Sequence, residues 1–219
     1  MKDPATGLPE FNADGAPIQD GKYSIIGYGV PDFTGGLNNS FGYKNINLSF
    51  LIDFKSGGDI FSGTNARMTQ AGLTKQSLLG REGEAPLTVS GVIQDGTNSN
   101  GDPIYKPFTK TLTPGEAQHY WDRLGNEDEG GSADKFVYDA SFIKLRQVTL
   151  DYTLPRKLFT KTPIQNVMVS FVARNLAILH KNVPNIDPES SYTSSNNQGL
   201  DYFGFPATRT YGFNVRLIF

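Results

Sequence analysis

Two histidines, no cysteine and a scatter of carboxylates are all that this 219-residue chain offers to covalent or metal chemistry. His119 and His180 fall in polar connections, neither belongs to an H-E-x-x-H pair, and there is no G-x-S-x-G elbow or phosphate-cradling loop. Without cysteine, neither a thiolate metal site nor a disulfide framework is available. The run DGTNSNGD (95–102) invites a calcium reading. Its spacing departs from the D-x-[DN]-x-[DN]-G loop, and the position eleven after Asp95 is Lys106 rather than glutamate. A polar hairpin turn is the expectation. NIDPES (185–190) reads as another turn, whose Asp187 and Glu189 could take a cation. The chain is therefore expected not to be an enzyme and to carry no cofactor or metal.

Recognition chemistry is better represented. Tyr120 and Trp121 lie in TPGEAQHYWDRL, and Phe203 and Phe205 in DYFGFP. All four offer flat rings to a sugar or to a partner's surface, although Tyr120 and Trp121 can equally pack a helix against neighbouring loops. A net charge of −2 provides no basic footprint for nucleic acid.

These residues must be positioned by elements that the polarity pattern reveals. The 15 Phe and 10 Tyr favour strands, and 24 Gly with 13 Pro favour many turns. In PDFTGGLNNSFGYKNINLSFLIDF (31–54) the apolar residues are odd-numbered up to Tyr43 and even-numbered from Ile46. A two-residue turn at Lys44 and Asn45 pairs Tyr43 with Ile46, Phe41 with Leu48 and Leu37 with Ile52, so that one face of the hairpin is wholly apolar. From about residue 55 to 135 the alternation dissolves into a polar connection. It holds a small hairpin around Asn100-Gly101 and a short helix with Thr113 as N-cap, Pro114 at its first position and Glu116 closing a capping box. NVMVSFVARNL places Val167, Val169, Phe171 and Ala173 on one side, and TRTYGFNVRLIF alternates to its last residue.

YDASFIKLRQVTLDYTLP (138–155) is odder. Ile143 and Leu145 are apolar at odd positions, whereas Val148, Leu150 and Tyr152 are apolar at even ones. Either a bulge near Arg146 absorbs the change of phase, or the strand simply starts after it. Lys144 and Arg146 are expected at the outer headgroup level of a bilayer, where long cationic side chains snorkel to water.

No apolar run approaches the roughly 18 residues of a membrane helix, but transmembrane strands leave a weaker signal. Connections here run short, very long, short, long. In an up-and-down sheet that puts short turns at one end and long loops at the other, as in outer-membrane barrels. Tyr43, Tyr152 and Phe219 fall near the short-turn end, the place of an aromatic girdle. In this phase Asp53, Asp151, Arg174 and Arg216 face the lumen. A soluble two-layer β-sandwich that binds carbohydrate also alternates, and a non-transport scaffold or adhesin of the outer membrane is a further alternative. A sandwich buries Ile46, Phe50 and Phe54 under a second sheet, whereas a barrel leaves them bare.

The blocks 31–60 and 138–155, ARNLAIL and NIDPES within 173–190, and the ending 211–219 together resemble the C-terminal part of the SusC/RagA family of TonB-linked outer-membrane transporters. The resemblance implies an all-β fold. The whole chain, 1–219, would be a C-terminal segment of about five or six antiparallel strands from a 22-stranded, plugged barrel. Extracellular loops would span about 56–135 and 178–207 and carry one short helix, with plug and signal peptide absent. It implies uptake of oligosaccharides or peptides by the parent protein, a segment not competent for transport alone, and no nucleic-acid role. The partners implied are a SusD-like surface lipoprotein, TonB-ExbB-ExbD through the missing N-terminal part, and the outer-membrane assembly machinery. Thr210, Gly212, Val215, Leu217 and Phe219 match the spacing of the signal which that machinery reads.

Overall fold

A computed structural model describes residues 2–3, 5–19, 24–126, 131–192 and 198–219. In chain order the elements are β1 (Phe33–Tyr43), β2 (Ile46–Ser56), β3 (Asp59–Ser62), α1 (Gly63–Gln70), β4 (Thr88–Thr97) and β5 (Pro103–Thr111). Then come α2 (Pro114–Gly125), β6 (Val137–Asp139), β7 (Phe142–Thr153), β8 (Asn166–Lys181), β9 (Leu200–Asp201) and β10 (Thr210–Ile218). The chain divides into two compact units. One comprises 1–27, 61–137 and 200–203, the other 28–60, 138–199 and 204–219.

The second unit is built on a five-stranded antiparallel sheet in the order β1-β2-β7-β8-β10. The first hairpin has the expected register, Tyr43 opposite Ile46, Phe41 opposite Leu48 and Leu37 opposite Ile52. Its tight turn places Lys44 at φ 52°, the left-handed conformation that two-residue hairpins demand. The apolar rows then continue across the whole sheet, with Leu48 opposite Leu150, Leu150 opposite Phe171 and Phe171 opposite Phe213. Aromatic pairs, one diagonal and one directly opposed, reinforce the rows. Phe41 stacks on Phe50 at 6.0 Å between centroids, and Phe171 meets Phe213 at 5.3 Å. At Gly35 a Cβ would stand 2.6 Å from the ring of Phe54, so the glycine makes room for a ring that covers the β1 backbone.

No second layer covers this apolar face among the described residues. Leu37, Phe41, Leu150, Phe213 and Val215 are all exposed, and Phe50 and Phe54 are only half-buried. The sandwich alternative required these side chains to be sealed, and they are open. The opposite face carries Asn47, Ser49, Asp53, Thr149, Asp151, Ser170 and Asn214.

The change of phase in β7 is a bulge. Gln147 pairs with Leu51 and Leu145 with Ile52, which leaves Arg146 as the extra residue against β2. Against β8, the two residues Asn175 and Leu176 answer Arg146, with Asn175 at φ 52°. The bulge keeps Leu145 and Val148 on the apolar face although their numbers differ in parity.

The other unit has its own core, including Ala66, Leu87, Val92, Leu112, Trp121 and Phe136. Residues Pro9–Phe11 dock on the β4–β5 hairpin, where the Val92 N–H donates to the Pro9 carbonyl and the Phe11 N–H to the Val92 carbonyl, each at 2.9 Å. The hairpin loop runs from Asn98 to Asp102 rather than as two residues, because the Asn98 carboxamide accepts from the N–H groups of Asn100 and Asp102 and organises a wider turn. Asp95 is taken by Lys106 at 2.7 Å. Among the described residues not one α-helix but two occupy this region. α1 has little apolar periodicity to announce it. It starts because Ser62 caps the Asn65 N–H at 3.0 Å, and it holds because Gly125 of α2 lets the two helices meet closely. α2 begins with the expected capping box.

Glu116 in that box accepts from Lys110 and from Thr113, and its pKa is lowered to about 2. A depressed carboxyl stabilises above its unfolded pKa, so the cap is fully in place above pH 4.5 and is lost as the pH falls through about 2. Thr113→Ala is expected to cost about 1 kcal/mol at this helix end, seen as roughly fivefold faster hydrogen exchange of the first-turn amides of α2. Unchanged exchange would show that the cap contributes nothing.

Candidate functional site

A strand that alternates leaves one face for charge, and the bulge concentrates that charge at one end of β7. Arg146 reaches Asp53 on β2 and meets Glu189 in a bidentate pair, Nη1 to Oε2 at 2.9 Å and Nη2 to Oε1 at 2.7 Å. Lys144 donates to Asp187 Oδ1 and to Glu189 Oε2, each at 2.5 Å, and its ammonium lies over the Phe142 ring. The side chain of Lys144 is only 6% exposed and that of Asp187 11%. The snorkelling expected of these two cations therefore does not occur. Carboxylates from the 182–192 connection reach them first, and a buried cation is more stable against a carboxylate than stretched toward water.

NIDPES is thus a turn whose acids do take cations, and both cations come from β7. Its shape supports this, because the Asp187 carboxylate accepts the Glu189 N–H at 2.9 Å and points both acids the same way. Beneath it Ile60, Ala140 and Val183 form a small core with Tyr138 and Ile186. Burial pushes the Glu189 carboxyl up, and hydrogen bonds from Arg146 and Lys144 together with their charge outweigh this and hold it below its ordinary value. Its contribution is therefore present at neutral pH and is lost only as the pH falls below the usual glutamate range.

The remaining residues singled out from the sequence are dispersed. Asp151 accepts from Asn47 at 3.3 Å, Arg174 donates to Gln147 at 3.3 Å, and Arg216 makes no ion pair among the described residues. Trp121 is buried with its indole N–H on the Leu79 carbonyl at 2.9 Å, and Tyr120 packs edge-on against it at 4.9 Å. Burial raises the Tyr120 phenol. Phe205 is 98% exposed, and Phe203 sits at φ 49° with its N–H on the Thr64 hydroxyl. Thr210, Gly212, Val215 and Leu217 lie on the edge strand β10, followed by an exposed Phe219. His119 and His180 are exposed. Sequence reasoning missed the convergence of Lys144 and Arg146 on Asp187 and Glu189. The one available signal was that a K-x-R pair and a D-x-E pair interrupt otherwise neutral surroundings.

Comparison with known proteins gives a consistent likeness. No protein-family model matches the chain. It is 29% identical over 202 residues to TonB-dependent receptor P3 of Formosa agariphila, covering 89% of this chain and 17% of that protein. TonB-dependent receptor P26 of the same organism is 26% identical over 212 residues, covering 93% and 19%. Among solved structures, the RagAB peptide importer in its closed-closed state aligns with a TM-score of 0.53 at 19% identity, over 94% of this chain and 20% of that one. Its open-open state aligns equally well, at 0.53 and 17% identity. The likeness is to TonB-dependent receptors in sequence and to the RagAB importer in fold. The fold is that of an outer-membrane barrel wall, and the chain spans about a fifth of the length of the relatives it matches. In such a wall the bare apolar face is the lipid side and the charged face the inner side.

Removing both acids, D187N with E189Q, leaves Lys144 buried without a counter-charge and is expected to cost about 3–5 kcal/mol locally. Protease cleavage within 182–192 should then rise sharply in isolated outer membranes, and adding K144M should restore much of the resistance. Equal cleavage of wild type and double variant would mean that the cluster does not hold this connection.

Proposed function

We propose that this chain is part of the barrel wall of a TonB-dependent outer-membrane importer of oligosaccharides or peptides. By itself it is not competent for transport. In this reading 1–219 is the C-terminal barrel segment, and the connections 56–135 and 178–207 lie outside the cell, beneath a SusD-like surface lipoprotein. TonB-ExbB-ExbD would act on the parent through a part that lies elsewhere. Asp53, Asp151, Arg174 and Arg216 line the lumen, while Phe203, Phe205, Tyr120 and Trp121 are candidates for lid or cargo contact. The observation that carries the reading is the apolar face continuous over five strands and uncovered among the described residues, backed by a polar face on which Arg146 is paired with Asp53 and Glu189. Hydrocarbon is the environment in which that division is stable.

Spin labels in the parent receptor test it directly. In native outer membranes, labels at Leu150→Cys and Phe213→Cys should be relaxed by dissolved oxygen and shielded from a water-soluble nickel chelate, with the reverse at Thr149→Cys and Asn214→Cys. Nickel access at Leu150 equal to that at Thr149 would sink the barrel reading.

The end of β10 has a separate test. Phe219 is 70% exposed and a Cβ on Gly212 would touch nothing within 4 Å, so packing predicts little effect from Phe219→Ala or Gly212→Ala. Recognition by the assembly machinery instead predicts that Phe219→Ala reduces folded receptor in the outer membrane to a minor fraction, measured by heat-modifiable mobility. A normal amount of folded Phe219→Ala receptor would remove the signal reading.

A further inference from the structure

Next to the ion cluster lies a cavity of about 210 Å³, formed by the ends of β7 and β8, the connection that follows β8, and the residues leading into β10. Among the described residues three cations and one carboxylate line it: Lys144, Lys181, Arg209 and Asp187. Lys144 and Asp187 are committed to each other. Lys181 meets no acid among the described residues, and its ammonium donates to the Ile186 carbonyl at 2.6 Å. Arg209 is exposed and has no hydrogen-bond or ion-pair partner among the described residues. Ile178, Ile186 and Pro206 supply an apolar wall. Asn175 fixes the approach of the 204–209 segment by donating to the Thr208 carbonyl at 3.1 Å while accepting from Arg146 at 3.4 Å.

We propose that this cavity receives the carboxylate end of a peptide cargo, with Arg209 and Lys181 on the carboxylate and the last side chain against Ile178 and Ile186. This rests on the importer reading and narrows its cargo. A volume below the roughly 300–1,000 Å³ of sites that enclose drug-sized ligands fits one residue rather than a chain. The unmatched charge is cationic, and a guanidinium fork suits a carboxylate. No aromatic ring of the described residues lines the cavity, so a neutral sugar would find no stacking platform while stripping water from two cations.

The test uses the full-length receptor with its lipoprotein partner and a hexapeptide ending in leucine, offered as free acid and as C-terminal amide, beside a neutral maltohexaose. The free acid is expected to bind about tenfold to a hundredfold more tightly than the amide, and Arg209→Gln is expected to erase that ratio while Arg209→Lys restores part of it. Arg209 has no partner to lose among the described residues, so the variant is not expected to unfold. Equal binding of acid and amide, or a ratio unchanged in Arg209→Gln, overturns the cavity assignment and leaves the importer standing. Binding of maltohexaose alone overturns it likewise. If cells take up neither cargo by a TonB-dependent route, the importer reading falls together with it.

Discussion

Hydrocarbon supplies no partner for a peptide N–H or C=O, so a chain that crosses it by strands must keep an unbroken ladder with every apolar side chain on the outer face. Both demands act on the same backbone, and β7 shows how they conflict. Its residues on either side of Arg146 would fall on opposite faces if the strand kept its phase. The bulge removes the conflict by inserting one residue against β2 and matching it with two on β8. The ladder resumes on both sides, and Ile52, Leu145 and Ala177 stay in one row. The displaced residue is a cation whose guanidinium is turned to the polar face, where Asp53 and Glu189 meet it. A neutral residue at the bulge would satisfy the geometry but tie nothing across it.

That tie explains why the connection after β8 is ordered where it meets the wall. Asp187 and Glu189 come from a segment with little apolar content of its own, yet Pro188 and Val183 are almost fully buried. The small core of Ile60, Ala140 and Val183 fixes the position of the turn, and the ion pairs fix its direction. A bidentate arginine sets angle as well as distance, so the connection enters the polar side at a defined place. The neighbouring 204–209 segment is held by Asn175, which contacts Arg146. One bulged residue thus orders two connections.

Much of this was legible in the residues and some was not, for physical reasons. The register of the first hairpin follows from a side-chain period of two plus a two-residue turn, since any slip would put Leu48 or Phe41 on the polar face. The capping box of α2 is a local device readable within four residues. In β7 the parity change announced an irregularity without saying which kind, because a bulge and a late strand start leave the same pattern. α1 was invisible. Its cap, Ser62, is fixed by donating to Asp201 at 2.9 Å, a partner 139 positions away, and its packing partner is another helix. Cations 43–45 positions from their carboxylates across unpatterned sequence are equally hard to foresee.

The polar connection between β2 and β7 also obeys the constraint, by a different route. Outside a bilayer a long chain must bury apolar surface of its own or remain unfolded. Here the hairpin β4–β5, the two helices and the segment Pro9–Phe11 share a core around Leu87, Val92, Leu112 and Trp121. In the proposed barrel the two units answer to opposite solvents. One turns its apolar side chains inward against each other, and the other presents them outward from a single sheet. A substitution such as leucine to asparagine should then read differently in each. At Leu112 it places a polar group in a dry core and acts on folding of that unit. At Leu150 it places the same group against lipid tails, where the ladder is already satisfied and the cost falls on residence in the membrane.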